Sequence, residues 1–317
     1  ERLLRGTQDD AHVIFVLNYG RIILMKNRDY LIKIVDLGDN VRIYLAHTTS
    51  LAEEAHRRHG TSATASAALG RAMTAAVIMA SDFKNEDDTL TLRINGSGPV
   101  GTILVTADSS GGVRGLVSNP FADLPATAAG KLDVGQLVGN EGYLEVIKDL
   151  GLKQPFTGRV PLVSGEIAED VAHYFLVSEQ IPALISLGVL VNPDLSIQAA
   201  GGLFVQALPG ADDKALEMIE HNIMALGSIS SLVDQYETLE AIAALILQGI
   251  EYKVVGEMEL GFRCNCSREK LMAILAGLPE DEDGSRNDEQ IEAECNFCRE
   301  KYSFDSREIE TAKNQKP

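Results

Sequence analysis

Between residues 30 and 46 apolar and polar side chains alternate, which predicts two strands folded back at Gly38, Asp39 and Asn40. The period then lengthens. SLAEEAHRRHG, from Ser50 to Gly60, predicts a short helix with Ser50 as N-cap, Glu53 as its reciprocal partner and Gly60 as its stop. TASAALGRAMTAAVIMA, residues 64–80, is apolar on every side and predicts a buried helix. TLTLRI (89–94) and TILVTAD (102–108) predict strands flanking a glycine-rich turn, and strand-like runs continue to LFVQAL (203–208), with VNPD (191–194) as a hairpin turn. Strands and helices in separate runs predict an α+β core that ends near Pro209.

After LPGADD the pattern becomes helical. Leu216, Ile219, Ile223 and Leu226 share one face, GSISS interrupts the run, and Thr238 can cap a further helix around Ile242, Leu245 and Ile246. The chain therefore divides into four parts. Residues 1–24 read as an extension outside the fold, because Met25 looks like a natural start; residues 25–209 form a mixed α/β core domain of the α+β class. Residues 210–256 form a helical linker with apolar faces, and residues 257–317 a small C-terminal domain that holds all four cysteines. Inside that last part EDEDGSRNDEQIEAE (280–294) carries eight acidic residues and one basic, and predicts a solvated loop or helix start.

Composition narrows the function. Hydrophobic residues make up 45% and charged residues 23% of the 317 positions, the balance of a folded globular chain. A formal net charge of -18 repels phosphate backbones and anionic lipid surfaces, so neither nucleic acid nor a membrane is an expected partner. No uninterrupted apolar run approaches the roughly 20 residues of a bilayer span. AHVIFVLNYGRIILM (11–25) is broken by Asn18, Gly20 and Arg21 and is followed by no small-residue cleavage signal. The expected setting is cytoplasmic and reducing, where paired cysteines bind metal or do redox work.

Met258, Leu260, Phe262, Cys264 and Cys266 fall at every second position, so an extended strand would turn both thiols to one face, with Ser267 capping the helix that follows. Cys295 and Cys298 form a C-x-x-C turn, with 28 residues between Cys266 and Cys295. Two close pairs joined by a loop can make a tetrahedral four-thiolate site, and such soft ligands suit zinc. No histidine lies beyond His221, which leaves Cys264, Cys266, Cys295 and Cys298 as the whole ligand set. Four unrelated buried cysteines, or a standing disulfide framework, are the competing readings. Arg263, Arg268, Lys270, Arg299 and Lys301 surround the pairs, and positive charge stabilises the thiolates that oxidants attack, although exposed Lys and Arg are common. A unit this small loses much of its folding free energy with its metal.

Other motifs carry less. GSGPVG (96–101) matches G-x-G-x-x-G, but the run after it is a strand where phosphate binding needs a helix N-terminus. Without a P-loop pattern either, no nucleotide is expected. Glu53, His56 and His59 could share a helical face as metal ligands, yet charged surface helices produce that spacing freely. No Ser, His and Asp arrangement and no carboxylate pair stands out, so no catalytic residue is assigned and an enzyme is not expected.

Several stretches then occur together and in order: RRHG and TASAALGR within 57–71, GSGPVG, VSNP (117–120), GKLD (130–133), VIKDLG (146–151) and SGEIAED (164–170). SEQIP (178–182), GVLVNPD (188–194), AAGG (199–202) and LPGADD continue the series up to C-x-C and C-x-x-C. Over roughly residues 28–304 the chain resembles the redox-regulated bacterial chaperone family known as heat-shock protein of 33 kDa. That resemblance implies an ATP-independent holdase for unfolding client proteins, inactive while reduced and holding one zinc ion. It implies that oxidation joins Cys264 with Cys266 and Cys295 with Cys298, that the metal is released, and that the C-terminal region unfolds, exposes apolar surface and activates a homodimer. The sequence departs from the family at residues 1–24, at Ala63 where proline is common, and in the acidic 280–294 stretch. A thiol-disulfide oxidoreductase using Cys295 and Cys298 is the enzymatic alternative, against which C-x-C and the missing thioredoxin-like βαβ context count. A constitutive zinc-binding interaction module is the other.

Overall fold

The computed structural model describes residues 28–278 and 290–314, so residues 1–24 and most of the acidic run lie outside the described residues. The chain forms two compact units, one ending at Phe262 and the other beginning at Arg263.

The first unit is built on two sheets. One contains β1 (Tyr30–Asp36), β2 (Val41–His47), β8 (Ala183–Val191), β9 (Ile197–Ala207) and β10 (Tyr252–Glu259), in the order β10-β1-β2-β9-β8 and antiparallel throughout. The other contains β3 (Thr89–Asn95), β4 (Thr102–Asp108), β5 (Gly112–Val117), β6 (Tyr143–Asp149), β7 (Phe156–Pro161) and the two-residue β11 (Gly261–Phe262), in the order β11-β5-β4-β3-β6-β7. Only β11 runs parallel to its neighbour in that sheet. The strands expected at 89–94 and 102–108 are there, paired from Asn95↔Thr102 outward, and Asn192 to Ser196 closes the β8–β9 hairpin.

The Ala-rich helix α2 (Ala63–Ala80) is buried along almost its whole length, capped by Ser62. Its small side chains let it lie in a core made with Leu31, Tyr44 and Phe204 from the first sheet and Leu92, Val105 and Val146 from the second. Among the described residues it is the one helix long and apolar enough to cross a membrane, and 83% of that window is buried inside the fold.

The helix before it, α1 (Thr49–His59), starts two residues earlier than the sequence suggests, with Thr48 rather than Ser50 at the N-cap position. Ser50 is therefore inside the helix. The Asp29 carboxylate accepts the N–H groups of Ser50 and Leu51 in place of a local cap, and Glu53 accepts the Ile197 N–H at 2.7 Å. A long-range acceptor thus satisfies the orphan donors that a capping box would have taken. Gly60 ends the helix as expected, at φ 60 with its N–H on the His56 carbonyl. Shorter helices α3 (Val134–Val138) and α4 (Ala168–Tyr174) complete this side.

The linker helices α5 (Asp213–Leu226), α6 (Ile229–Gln235) and α7 (Leu239–Ile246) cover the opposite face of the first sheet. Ile32, Ile34, Ile43, Leu45, Leu203 and Val205 project there and bury against Ile219, Ile229, Leu232, Val233, Ile242 and Ile246. The GSISS stretch, expected as a break, begins a helix: Ser228 accepts the Ser231 N–H and caps α6. Thr238 caps α7 as expected. Helix α5 is the least enclosed, with only Ile219 fully buried, and a cavity of ≈ 300 Å³ lies between it and the β8–β9 edge, lined by Leu184, Val205, Leu216, Ile219 and Ile223. After α7 the chain returns to the sheet as β10, so the sequence boundary at 256/257 falls inside a strand. An edge strand open to solvent on both faces carries no two-sided apolar pattern to announce it.

A candidate metal centre

In the second unit the chain passes from Arg263 through an irregular segment to α8 (Arg268–Leu275), which Ser267 caps by accepting the Lys270 N–H at 3.3 Å. A hairpin of β12 (Gln290–Glu294) and β13 (Lys301–Asp305) follows, then α9 (Ser306–Asn314). The last five residues of the acidic stretch are thus strand, with Ile291 opposite Phe304 and Ala293 opposite Tyr302. Phe304 and Ile309 form the buried centre of the unit.

The strand expected through Cys264 and Cys266 stops at Phe262, and both thiols lie in the irregular segment. Cys295 and Cys298 sit in the loop of the hairpin. Its turn is closed by Cys295 N–H on the Glu300 carbonyl at 2.9 Å and by Arg299 N–H on the Cys295 carbonyl at 2.8 Å, with Arg299 in the left-handed region at φ 59. The two segments bring all four sulfurs within 4.8 Å of one another. None of the four is in a disulfide; Cys298 is buried and the others half-buried. Close contacts cross between the motifs, Cys264 to Cys295 at 3.8 Å and Cys266 to Cys298 at 3.3 Å.

Electrostatics separates the thiols. Burial pushes Cys264 and Cys298 up, so these two favour the neutral thiol. Burial also acts on Cys266, but hydrogen bonds from Tyr302 and from the neighbouring thiols outweigh it and hold that thiol below the usual cysteine range. Four negative sulfurs this close repel one another, and a divalent cation among them is what lets all four ionise. The donor set, four thiolates with no oxygen, fits a soft-ligand tetrahedral ion.

Three of the basic residues singled out by the sequence have partners away from the sulfurs. The Arg268 guanidinium reaches Glu308 at 2.7 Å and lies 4.8 Å over the Phe304 ring, Lys270 donates to the Asn265 carbonyl at 2.6 Å, and Arg299 pairs with Glu294 at 2.9 Å. A side chain that does reach a sulfur is Tyr302, whose hydroxyl lies 3.3 Å from Cys266 Sγ. Sequence reading missed it. The available signal was its parity with the buried Phe304 two residues on, just past the C-x-x-C turn.

The weaker motifs resolve as structure. The GSGPVG glycines lie where a Cβ would come 2.1 Å from the Val138 carbonyl (Gly96) or 2.2 Å from that of Leu137 (Gly98), a packing reason for glycine rather than a phosphate site. His56 turns to Thr61 and Ser66 while Glu53 holds Ile197, so this helix face does not converge on an ion. Asp29, His47 and Thr49 do line up, at 3.1 Å and 3.5 Å through the two imidazole nitrogens, but the Thr49 hydroxyl accepts the Ala200 N–H and Asp29 caps α1, which makes them a structural junction.

Comparison with known proteins finds relatives over most of the chain. The family model described as Hsp33 protein matches residues 29–305. A 33 kDa chaperonin of Desulforamulus reducens is 50% identical over 285 residues, 89% of this chain and 96% of that protein. One from Bacillus licheniformis is 46% identical over 289 residues, 90% of this chain and 99% of its own. The crystal structure of the 33 kDa chaperonin from Thermotoga maritima superimposes with a TM-score of 0.82 at 37% identity, covering 91% of this chain and 98% of that one.

Proposed function

The chain belongs to the Hsp33 family, and on that premise we propose that it is an ATP-independent holdase for unfolding proteins, switched on by oxidation of its four cysteines. Cys264, Cys266, Cys295 and Cys298 would hold one zinc ion in the reduced state, where the metal supplies the positive charge that keeps four crowded thiolates together.

Oxidation pairs Cys264 with Cys266 and Cys295 with Cys298. The sulfur distances suit either this pairing or one across the motifs, and the family resemblance favours the local one. Either pairing consumes the thiolates on which the metal depends, and a small unit whose buried centre is little more than Phe304 and Ile309 then loses its fold. The working form is a homodimer in the cytoplasm, with no nucleotide in its cycle.

The observation that carries this reading is the apolar face of the first sheet under α5, α6 and α7. Six large aliphatic side chains lie there, covered by helices from the linker. Each contributes roughly 1.5–3 kcal/mol while covered and becomes client-binding surface when the cover is lost.

The test follows zinc release with a colour-forming chelator alongside suppression of aggregation of an unfolding test protein, before and after hydrogen peroxide at elevated temperature. Both should rise together, and a thiol reductant should reverse both. Metal release without client protection would leave the four-cysteine site purely structural.

A further inference from the structure

The four thiols differ in what donates to them. Cys264 Sγ accepts the backbone N–H of Cys266, and Cys298 Sγ that of Glu300, donors set by the turns themselves. Cys266 Sγ has a side-chain donor, the Tyr302 hydroxyl at 3.3 Å. The strand that carries it is paired at every position. Tyr302 lies on β13 opposite Ala293, on the same face as Phe304, which is 1% exposed and capped by the Arg268 guanidinium.

We infer that Tyr302 is a positioning residue that sets how readily Cys266 is oxidised, an inference that rests on the redox-switch reading above. An ionised sulfur carries no proton, so the phenol is the donor, and a donor to a charged acceptor draws density from the sulfur lone pair. The sulfur becomes a poorer nucleophile. A disulfide sulfur accepts hydrogen bonds weakly, so the bond is lost on oxidation and stabilises the reduced state selectively.

The step it restrains is attack of the Cys266 thiolate on peroxide. The sulfur–oxygen bond forms as the O–O bond breaks, giving a sulfenate, and the departing hydroxide takes up a proton as water. A second thiolate attacks that sulfur, forming S–S and expelling the remaining oxygen, which leaves as water after protonation. Two thiolates, one peroxide and two protons thus give one disulfide and two waters, with the sulfur pair oxidised by two electrons.

The experiment compares the reduced, zinc-loaded full chain with its Tyr302→Phe variant, which keeps the ring and removes only the donor. Both should hold one zinc per chain. In hydrogen peroxide the variant should release zinc about 10-fold faster, the size expected for one hydrogen bond to a charged group. In glutathione buffers its thiol–disulfide midpoint should lie about 30 mV more negative, because the reduced form has lost its stabiliser. With cobalt in place of zinc, the sulfur-to-metal charge-transfer band should move to lower energy. A 3-fluorotyrosine at 302, a stronger donor of nearly the same shape, should move rate and band the other way.

Equal rates and an unmoved band in two metal-loaded proteins would overturn the inference alone. A variant that loses its metal under reducing conditions, with fluorotyrosine behaving as wild type, would also overturn it and leave Tyr302 as packing. A wild-type chain that binds no zinc, or keeps it through peroxide, would overturn the switch reading and this inference together.

Discussion

Leu203 and Phe204 are consecutive on β9 yet are buried against different parts of the first unit. Phe204 points into the core beneath α2 and meets the Phe175 ring edge-on at 5.8 Å, whereas Leu203 lies under the linker helices. The sheet that carries both is therefore covered twice, once by a core helix and once by a removable layer.

Truncating the layer should loosen it without touching the thiols. Ile242→Ala removes a side chain 1% exposed in that interface and should weaken linker docking by about 2–5 kcal/mol. The reduced variant should bind more of an apolar dye and show faster amide exchange across α5 to α7, at unchanged zinc content. If dye binding does not rise, the linker is not what hides the apolar face.

Gly188 and Gly201 face each other across β8 and β9 and make the seat of α6. A methyl at Gly188 would lie 2.6 Å from Ser230 Oγ and 2.9 Å from its backbone nitrogen, so the helix itself must shift. Gly188→Ala should cost about 1–3 kcal/mol of docking. Aggregation assays under reductant should then show partial holdase activity where the parent shows none; a silent variant with normal α6 protection would mean the seat tolerates the methyl.

Cys298→Ser tests dependence on the metal. Cys298 is 5% exposed, and a serine hydroxyl is a poor ligand for a soft-ligand site. The variant should purify without zinc and lose the exchange protection of β12 and β13, while the melting transition of the α2 core persists. Zinc retained at parental stoichiometry would show that three cysteines suffice.

Acid stability should carry the mark of Glu179. Burial pushes its carboxyl up, but Lys148 and Tyr174, each 2.6 Å away, outweigh burial and hold it below the ordinary range. A carboxylate whose folded value is depressed adds stability that is present above the unfolded value, about 4.3, and is lost as pH falls through the folded one. Glu179→Gln should therefore melt below the parent at pH 7 and converge with it in acid. A gap that does not change with pH would assign the effect to packing.

What was legible in the sequence is what local period writes. The α2 helix, the β3 and β4 strands, the Gly60 stop and the Thr238 cap all follow from neighbours within a few residues. The gathering of the thiols was also legible, because four cysteines confined to one end of the chain are compositional evidence in themselves. Asp29 capping α1 was not, since the acceptor lies 21 residues from Ser50 and its role exists only once β1 and α1 meet. Ser228 was hidden for the opposite reason, in a Gly-Ser run that reads as loop until tertiary contacts hold a short helix. Gly188 and Gly201 stood in family-like motifs without a reason, and the close approach of Ser230 and Val233 supplies it.

Residues 252–262 have one further property. They form β10, at one edge of the first sheet, then the buried Leu260, then β11, at one edge of the second, where Gly111 at φ +83 lets the Glu259 carbonyl come close. A border strand is held by one ladder, whereas an interior strand must be freed from both neighbours at once. Because the chain runs from these two borders into Arg263, pulling that end away breaks one ladder in each sheet and never two. The strands at the centre, β1-β2-β9 and β4-β3-β6, remain stitched while it does so.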